Sequence, residues 1–461
     1  MKDKARNRRC QITGGGGSLA SSAGGALLGE TARATGLDGA LCRALSPWRA
    51  RRAVHDPGKV IGDLATAIAL GGDRLADIGV LRAQSQLFGR VASDPTVSRL
   101  IDILAGDVEA ALDAIRGARA QARAAAWAHR CPVGEDGLIP VDIDASVLIA
   151  HSDKQHAGPT FKGTFGFHPL IAFLDHGPDG PARIGSGGEA LALLLRPGSA
   201  NANTAADHVT VLSLALAQLP GKVRGRVLVR TDSGGGTKAF LTHLSGLGLQ
   251  YSTGIGTNIG VDTQLIDTLP ERAWTAAYDA GGLPRDGAQV AELTGLLPQL
   301  SARGWPPGMR VIARRERPHP GAQLRLTDAA GWRITLFATN TAGGQLADLE
   351  VRHRLRARAE DRIRNLKDTG LRNLPLHDFT QNQIWTETVL LAADLLSFTA
   401  TLALGQHRRA EPKRLRLRLL QVAARIVSTG RQTLLRLDTR WPWAEELIDA
   451  HRRLRTLPAP T

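Results

Sequence analysis

Cysteines and long apolar runs are both scarce in this chain. The three cysteines, Cys10, Cys42 and Cys131, are far apart and form no C-x-x-C pair, which argues against a disulfide scaffold or a thiolate zinc site. The longest apolar run, Thr388 to Leu404, contains Asp394 and is short for a bilayer span, so it predicts a buried core helix. The basic N-terminus leads into no apolar signal segment. We therefore expect a protein of the reducing cytoplasm without a membrane partner.

Acidic residues are too few to balance the basic ones. The chain has 58 Lys and Arg against 43 Asp and Glu, for a net charge of +15, and arginine dominates the excess. This balance favours a polyanionic partner, because the planar guanidinium suits phosphate, and an anionic membrane surface is the second choice. A GC-rich genome would also enrich arginine. The length of 461 residues predicts two to four globular domains.

Helical patterns dominate the first part of the chain. Residues 1–25 are basic and then Gly/Ser-rich, typical of a flexible arm. Residues 26–130 predict a helical DNA-binding region with two helix–turn–helix candidates, one around Gly36 and one around Ser93–Pro95. Such helix pairs also occur in any all-α domain, so the DNA-binding interpretation depends mainly on the charge.

From residue 138 the hydrophobic period changes from helical to alternating. Residues 135–256 predict three strands, a helix, a strand, a helix and a strand, which is the ribonuclease-H-like order of an α/β fold. Residues 257–345 alternate between turn residues and predict a mostly β insertion. Residues 346–405 return to helices and complete the core, and residues 406–461 form a basic C-terminal region.

The stretch Val351 to Gly370 carries the most informative charges. Read as one α-helix, it places His353, Arg356, Glu360 and Lys367 within an arc of about 60°. An apolar stripe runs along the adjoining arc. When it is taken alone, such a face more often belongs to a solvated helix stabilised by ion pairs three and four residues apart.

Two predicted strands end in acidic residues. In VDIDAS, Asp142 and Asp144 share one strand face, and Asp232 ends RVLVRTD just before a run of glycines. Such residues often only cap a turn. In the ribonuclease-H-like order, however, the first and fourth strands are neighbours, so Asp144, Asp232 and a helix bearing Glu360 converge. Three such carboxylates require cations, and two Mg²⁺ or Mn²⁺ ions suit phosphoryl transfer by a nuclease or strand transferase.

These residues resemble those of a known family. The chain is similar to the DDE-type transposases of bacterial insertion sequences, in particular family thirteen-eighty of the insertion-sequence-four-like group. The group signature, Tyr-x2-Arg-x3-Glu-x6-Lys, is matched by His353, Arg356, Glu360 and Lys367, with His replacing Tyr. The resemblance includes Asp144 with Ser146, VRTDSG, FKGTFGFHPL, LRPGSANANTAADH and NQIW, and runs from about residue 10 to residue 455.

The resemblance implies a function and roles. It implies cut-and-paste transposition by cleavage at transposon ends and strand transfer, with Asp144, Asp232 and Glu360 binding the two metal ions. It implies that Arg356 and Lys367 act on phosphates beside the scissile bond, that His353 contacts DNA, and that Asp144 rather than Asp142 is the first carboxylate. The implied partners are double-stranded DNA, as terminal inverted repeats and target, and a second subunit on that DNA. The implied location is the cytoplasmic nucleoid.

Other functions remain open on the sequence. DSGGGTK and GIGTNIG suggest a nucleotide-binding enzyme, but neither has the order of a known phosphate loop. An inactive DNA-binding relative would leave the three carboxylates unexplained. A ribonuclease-H-like DNA nuclease without strand transfer is the alternative nearest in chemistry. The role of Trp274, Trp305 and Trp332 in the insertion is also open, between core packing and stacking on a base.

Overall fold

The computed structural model describes residues 17–458 except 135–136, 178–186, 257–258, 262, 319–320, 322–327, 330 and 431. The expectations for residues 1–16 and for Arg431 therefore lie outside the described residues. The helices are α1 Gly25–Ala34, α2 Leu37–Ala44, α3 Pro57–Ala69, α4 Gly79–Arg82, α5 Ser85–Phe88, α6 Asp94–Ala105, α7 Val108–His129, α8 Ala205–Gln218, α9 Lys238–Gly246, α10 Thr263–Asp267, α11 Leu346–Arg354, α12 Arg358–Leu366, α13 Phe379–Leu402, α14 Pro412–Leu415 and α15 Ala444–Thr456.

The strands fall into one large sheet and two small ones. They are β1 Leu19–Ala20, β2 Ile139–Ala145, β3 Leu148–Ile149, β4 Gly158–Pro159, β5 Phe165–Phe167, β6 Leu170–Asp175, β7 Gly188–Leu194, β8 Val227–Thr231, β9 Gln250–Ile255, β10 Thr275–Tyr278, β11 Pro284–Glu292, β12 Arg310–Glu316, β13 Asp328–Ala329, β14 Trp332–Thr339, β15 Ala424–Thr429 and β16 Gln432–Leu437. Within the described residues the large sheet has the order β10-β11-β12-β14-β9-β8-β2-β6-β7, with β13 paired to β14. The fold is therefore mixed α/β around a mixed sheet.

The centre of this sheet follows the predicted succession of elements. Strands β2, β6 and β7 are antiparallel neighbours, helix α8 follows, and β8 returns parallel to β2. Helix α9 then leads to β9, which is parallel to β8. The register of β2 and β8 ends with Ile143 opposite Thr231. One more step places Asp144 beside Asp232, because the carboxyl ends of parallel strands meet at one sheet edge.

The β-rich segment after β9 extends the same sheet. Strand β14 pairs antiparallel with β9, with Leu336 opposite Ile255, and β12, β11 and β10 continue outward. The pairing covers the edge that β9 would otherwise present to solvent. Strand β11 was not predicted, since its first half, PRDG, lacks the apolar alternation of a half-buried strand.

Helix α13 is the buried core helix that the sequence predicts for the long apolar run. Its Asp394 accepts hydrogen bonds from Arg119 Nε at 2.8 Å and Arg123 Nη2 at 2.5 Å, and all three side chains are buried. Arg123 also donates to Glu189 of β7 at 2.6 Å. These buried pairs fasten α7 and α13 to the sheet. No helix in the described part of the chain is long and apolar enough to cross a membrane.

The two ends of the described chain meet, which corrects one expectation. The flexible arm is not unstructured up to residue 25, because Leu19–Ala20 pair with Ala424 and Arg425 in the small sheet β1-β15-β16. The arginine-rich C-terminal stretch combines a short helical segment with strands. It is helical only to Leu420, and the hairpin β15–β16 follows. Neither result could be predicted locally, because strand pairing across four hundred residues depends on the tertiary fold.

Candidate active site

The helix expected over residues 351–370 begins earlier and is interrupted. Helix α11 starts at Leu346, a 3₁₀ turn covers Leu355–Ala357, α12 follows, and a wider turn spans Lys367–Leu371. A 3₁₀ turn advances about 120° per residue where an α-helix advances about 100°, so three residues rotate α11 by about 60° relative to α12. The even helix that the sequence predicts for the four signature residues is therefore broken between His353 and Glu360.

His353 points into the protein rather than sharing the outward face of Glu360. Its ring stacks on Phe337 at 4.6 Å between centroids with 6° between planes, and its Nδ1 lies 3.0 Å from the Ser252 hydroxyl. Burial, with Arg356 and Arg230 nearby, lowers the pKa of His353 to about 3. The ring is therefore neutral near pH 7, and it braces α11 against β14 and β9.

Asp144, Asp232, Glu360 and Arg356 lie near one another. Burial raises the pKa of Asp144 to about 6, Asp232 and Glu360 add to the rise, and Arg356 opposes it. Asp144 accepts a hydrogen bond from Ala145 N at 2.8 Å, and Asp232 accepts one from Gly234 N at 2.9 Å. Glu360 is exposed. Among the described residues none of the three carboxylates has a cation within ion-pair distance, so Arg356 offsets their negative charge only from farther away.

Asp142, the alternative first carboxylate, belongs to a buried ion network. Arg230 donates to both oxygens of Asp142, from Nε to Oδ1 at 2.6 Å and from Nη2 to Oδ2 at 2.8 Å. Arg362 Nη1 donates to Asp142 Oδ2 at 2.9 Å. Asp175 of β6 completes the network, 2.7 Å from Arg230 Nη2 and 2.8 Å from Arg362 Nη2. Both oxygens of Asp142 are thereby engaged, whereas Asp144 is not paired with any described cation.

Each of the three predicted catalytic carboxylates lies two positions along the chain from a residue of this network. Asp142 precedes Asp144, Arg230 precedes Asp232, and Arg362 follows Glu360, in each case by two positions. Burial alone would raise the pKa of Asp175, but Arg362 and Arg230 outweigh it and lower that pKa to about 2. Burial raises the pKa of Asp142 although Arg230 and Arg362 oppose the rise. The network links α12 to β2, β8 and β6.

Sequence reasoning missed Asp175, Arg230 and Arg362. The available signal was Arg230, which stands in the middle of the apolar run RVLVRT, since a buried arginine requires buried acids. Nothing local identified those acids, because Asp142 and Asp175 become its partners only when β2, β6 and β8 are assembled.

Lys367 ends α12 on the side of the small sheet β3-β5-β4. Its Nζ donates to the carbonyl oxygen of Val147 at 3.0 Å, between β2 and β3. Burial lowers the pKa of Lys367, and Lys162 and Arg372 add to the effect. An ammonium group has three hydrogens, so two remain for a phosphate.

The charge of this site suits a divalent ion, whereas the present spacing of its carboxylates does not. Within the described residues, no three His, Cys, Asp or Glu side chains are close enough together to hold one ion. The donors nonetheless suit a hard cation, since Asp144, Asp232 and Glu360 are carboxylates without a described ion pair, and Asp232 and Glu360 raise the pKa of Asp144. The residues therefore fit metal binding by charge and type.

The insertion tryptophans and the C-terminal arginines largely serve the fold. Arg315 lies between Trp274 and Trp332, at 4.3 and 4.7 Å from their ring centroids, and Trp305 is buried. Arg416 is buried and donates to the carbonyl oxygens of Ala69 and Asp368. Arg418 covers Trp443 at 4.5 Å. Arg414 and Arg425 are exposed.

Carboxylates at the joined ends of parallel strands, in so basic a chain, suit an enzyme that transfers phosphoryl groups of nucleic acid. The chain belongs to the family "Transposase DDE domain group 1", whose sequence profile matches residues 2–459. It is a DDE transposase, which acts on DNA in transposition and DNA recombination. Enzymes of this family generally use divalent metal ions.

Among solved structures, the chain is similar to a piggyBac transposase, seen by cryo-EM in a synaptic complex with hairpin DNA. The sequence identity is 9%, the match covers 86% of this chain and 77% of that chain, and the TM-score is 0.37. No curated protein matches the sequence significantly. The assignment therefore rests on the family match.

Proposed function

We propose that this transposase cuts and joins DNA with Asp144, Asp232 and Glu360 as its metal-binding carboxylates, on a ribonuclease-H-like core. The observation that carries the proposal is the contrast with their neighbours: Asp142 is paired with two arginines, whereas the three carboxylates form no ion pair with a described residue. Mg²⁺ is the favoured ion and Mn²⁺ the substitute, two of them per site. Such a pair activates the attacking oxygen and stabilises the leaving oxygen.

The chain's own side chains bind and orient the phosphodiester. Arg356 lies near Asp144 and binds a non-bridging phosphate oxygen through its planar fork. Lys367, held by Val147 O, directs its remaining hydrogens to the adjoining phosphate. His353 positions the helix from inside, through Phe337 and Ser252, and replaces the tyrosine of the group signature without carrying charge.

The reaction has two steps. In each of them an oxygen attacks phosphorus and a 3′ oxygen leaves. In the first, a water oxygen attacks phosphorus at a transposon end and the bond to the 3′ oxygen breaks, which leaves a 3′-hydroxyl. In the second, that hydroxyl oxygen attacks a phosphate of target DNA and displaces its 3′ oxygen. The number of phosphodiester bonds is unchanged in the second step, so no external energy source is needed.

The remaining assignments follow from the resemblance and the charge. We propose that residues 26–130 and the C-terminal region 406–461 bind the terminal inverted repeats, that residues 257–345 act as the insertion of the core, and that two subunits assemble on paired ends. Exposed Arg414 and Arg425 suit backbone phosphates. The site of action is the nucleoid, where the substrate lies.

A strand-joining assay tests the function. DNA flanking the gene supplies the terminal repeats for oligonucleotide substrates, which are incubated with the full chain, Mg²⁺ or Mn²⁺, and a target plasmid. We expect cleavage at the repeat end and covalent joining to the target. Cleavage without any joining would instead identify a nuclease of the same core, and joining that survives Glu360→Ala would remove Glu360 from the mechanism.

A further inference from the structure

A small β-hairpin projects from the strand that carries Asp144. Two residues after β2 ends, β3 pairs with β5, and β5 pairs with β4. The turn between β4 and β5 spans Thr160–Thr164 and belongs to FKGTFGFHPL, a motif whose role is not explained by the reaction above. We call this segment the FKG turn.

The FKG turn has a rigid base. Thr160 N donates to Thr164 O at 2.7 Å, and the two threonine hydroxyls are 2.8 Å apart. Gly163 adopts a φ of +70°, which favours glycine. Below the tip, buried His168 holds the carbonyl oxygen of Ala200 at 2.9 Å through Nδ1. Its ring lies 5.1 Å from that of Phe161 at the tip.

The tip of the FKG turn presents both apolar side chains and a cation. Phe161 is 70% exposed, and Ile149 and Phe165 of the same small sheet are 53% and 43% exposed. Three large exposed apolar side chains on one small sheet and its turn are typical of an interaction surface. Lys162 lies beside them, its Nζ 5.6 Å from the centre of the Phe161 ring. An aromatic ring with an adjacent cation suits a nucleotide, which presents a π face and a phosphate.

The FKG turn lies on the catalytic side of the molecule. Lys367, at the end of the Glu360 helix, donates to Val147 O immediately before β3. On the other side, the loop that contains Ala200 also lies against the Asp232 turn, since a Cβ on Gly234 would come within 3.0 Å of Ala202 O. The turn is thus attached to the segments that follow two of the three carboxylates.

We propose that the FKG turn contacts the DNA strand being cut, with Phe161 stacked on a base beside the scissile phosphate and Lys162 on the adjoining phosphate. This inference rests on the proposed function, because it places the scissile phosphate at Asp144, Asp232 and Glu360. The rigid base holds the ring in place before DNA binds, so little ordering is required on binding. Stacking of this kind is tolerant of sequence, because every base has a π face.

Cleavage kinetics on intact and abasic DNA test the stacking. Phe161→Ala, Phe161→Leu and Phe161→Trp are compared on transposon-end duplexes, either intact or lacking one base at each position next to the scissile phosphate. We expect Phe161→Ala and Phe161→Leu to slow cleavage of intact DNA roughly 5- to 100-fold, the equivalent of one stacking interaction, and Phe161→Trp to restore it. On the duplex that lacks the stacked base, wild type and Phe161→Ala should cleave equally slowly.

The controls separate stacking from folding and from the proposed function. Leu247→Ala removes another exposed apolar side chain, 50% exposed, at the opposite end of the sheet before β9, and should cleave like wild type. Lys162→Gln should reduce the slope of log affinity against log salt by about one. Unchanged cleavage by Phe161→Ala, full rescue by Phe161→Leu, or an equal loss on every abasic duplex overturns the inference. If Asp232→Ala cleaves normally, the proposed function itself fails.

Discussion

Replacing Arg362 by methionine tests how the ion network positions the site. Methionine preserves much of the buried volume but removes the charge that bridges Asp142 and Asp175 at 2.9 and 2.8 Å. The two buried carboxylates then share Arg230 as their close partner, with Arg358 at 3.6 Å from Asp175. Helix α12 loses this bridge to β2 and β6, so Glu360 is released from its place opposite Asp144 and Asp232.

The expected magnitude follows from the burial of the network. Asp142, Asp175 and Arg230 are each 1% exposed and Arg362 is 7% exposed, so solvent screens the pair little. Removing one partner of a buried ion pair costs about 3–5 kcal/mol, because a charge is left buried without compensation. Arg362→Lys keeps the charge but not the fork that reaches both carboxylates, and it should lose less stability.

Urea unfolding followed by circular dichroism, together with single-turnover cleavage, measures both effects. Asp142→Asn combined with Arg362→Met restores the charge balance, so the double variant should recover stability relative to Arg362→Met. It should still cleave poorly, because α12 remains detached from β2. Equal unfolding midpoints for wild type and Arg362→Met, or normal cleavage by the double variant, would refute this reasoning.

Two other perturbations separate neighbouring roles. Asp144→Asn should abolish cleavage without lowering the free energy of unfolding, because Asp144 has no described ion-pair partner. Asp142→Asn should lower the free energy of unfolding. Urea unfolding and a cleavage assay measure both effects, and the reverse pattern would assign the first carboxylate to Asp142. For His353, a pKa of about 3 in the folded state against about 6.5 in the unfolded state means that its contribution to stability is present above pH 6.5 and is lost as the pH falls towards 3. His353→Tyr restores the signature residue and should therefore reduce the loss of unfolding free energy between pH 6 and 4, with cleavage activity kept. An unchanged dependence of the unfolding free energy on pH would contradict the neutral, buried ring.

Much of the central sheet could be predicted because its signals are local. Apolar alternation identified β2, β6 and β8, and their acidic ends are visible in the sequence at Asp144 and Asp232. The parallel pairing of β2 and β8 then brings those ends together. Family spacing identified Glu360, although the actual helix is broken by a 3₁₀ turn that spacing does not reveal.

What could not be predicted depends on contacts between distant segments. Arg362 is 220 residues from Asp142, and neither residue signals the other. The contact of His353 with DNA, which the resemblance implies, stays a prediction. The stacking of His353 on Phe337 could not be predicted, because α11 and β14 meet only in the tertiary fold. The hairpin β15–β16 was not predicted, since its pairing with Leu19–Ala20 is invisible to local periodicity.

The most direct test of the catalytic assignment is single-turnover cleavage of transposon-end DNA by Asp232→Asn, with DNA affinity measured on the same preparation. Asparagine preserves the size of the side chain and an oxygen that can accept from Gly234 N, so the fold and the DNA-binding surface should be unaffected. We predict wild-type affinity and loss of both cleavage and joining, in Mg²⁺ and in Mn²⁺. Cleavage at the wild-type rate would contradict the account, because it would mean that the reaction does not depend on the carboxylate beside Asp144.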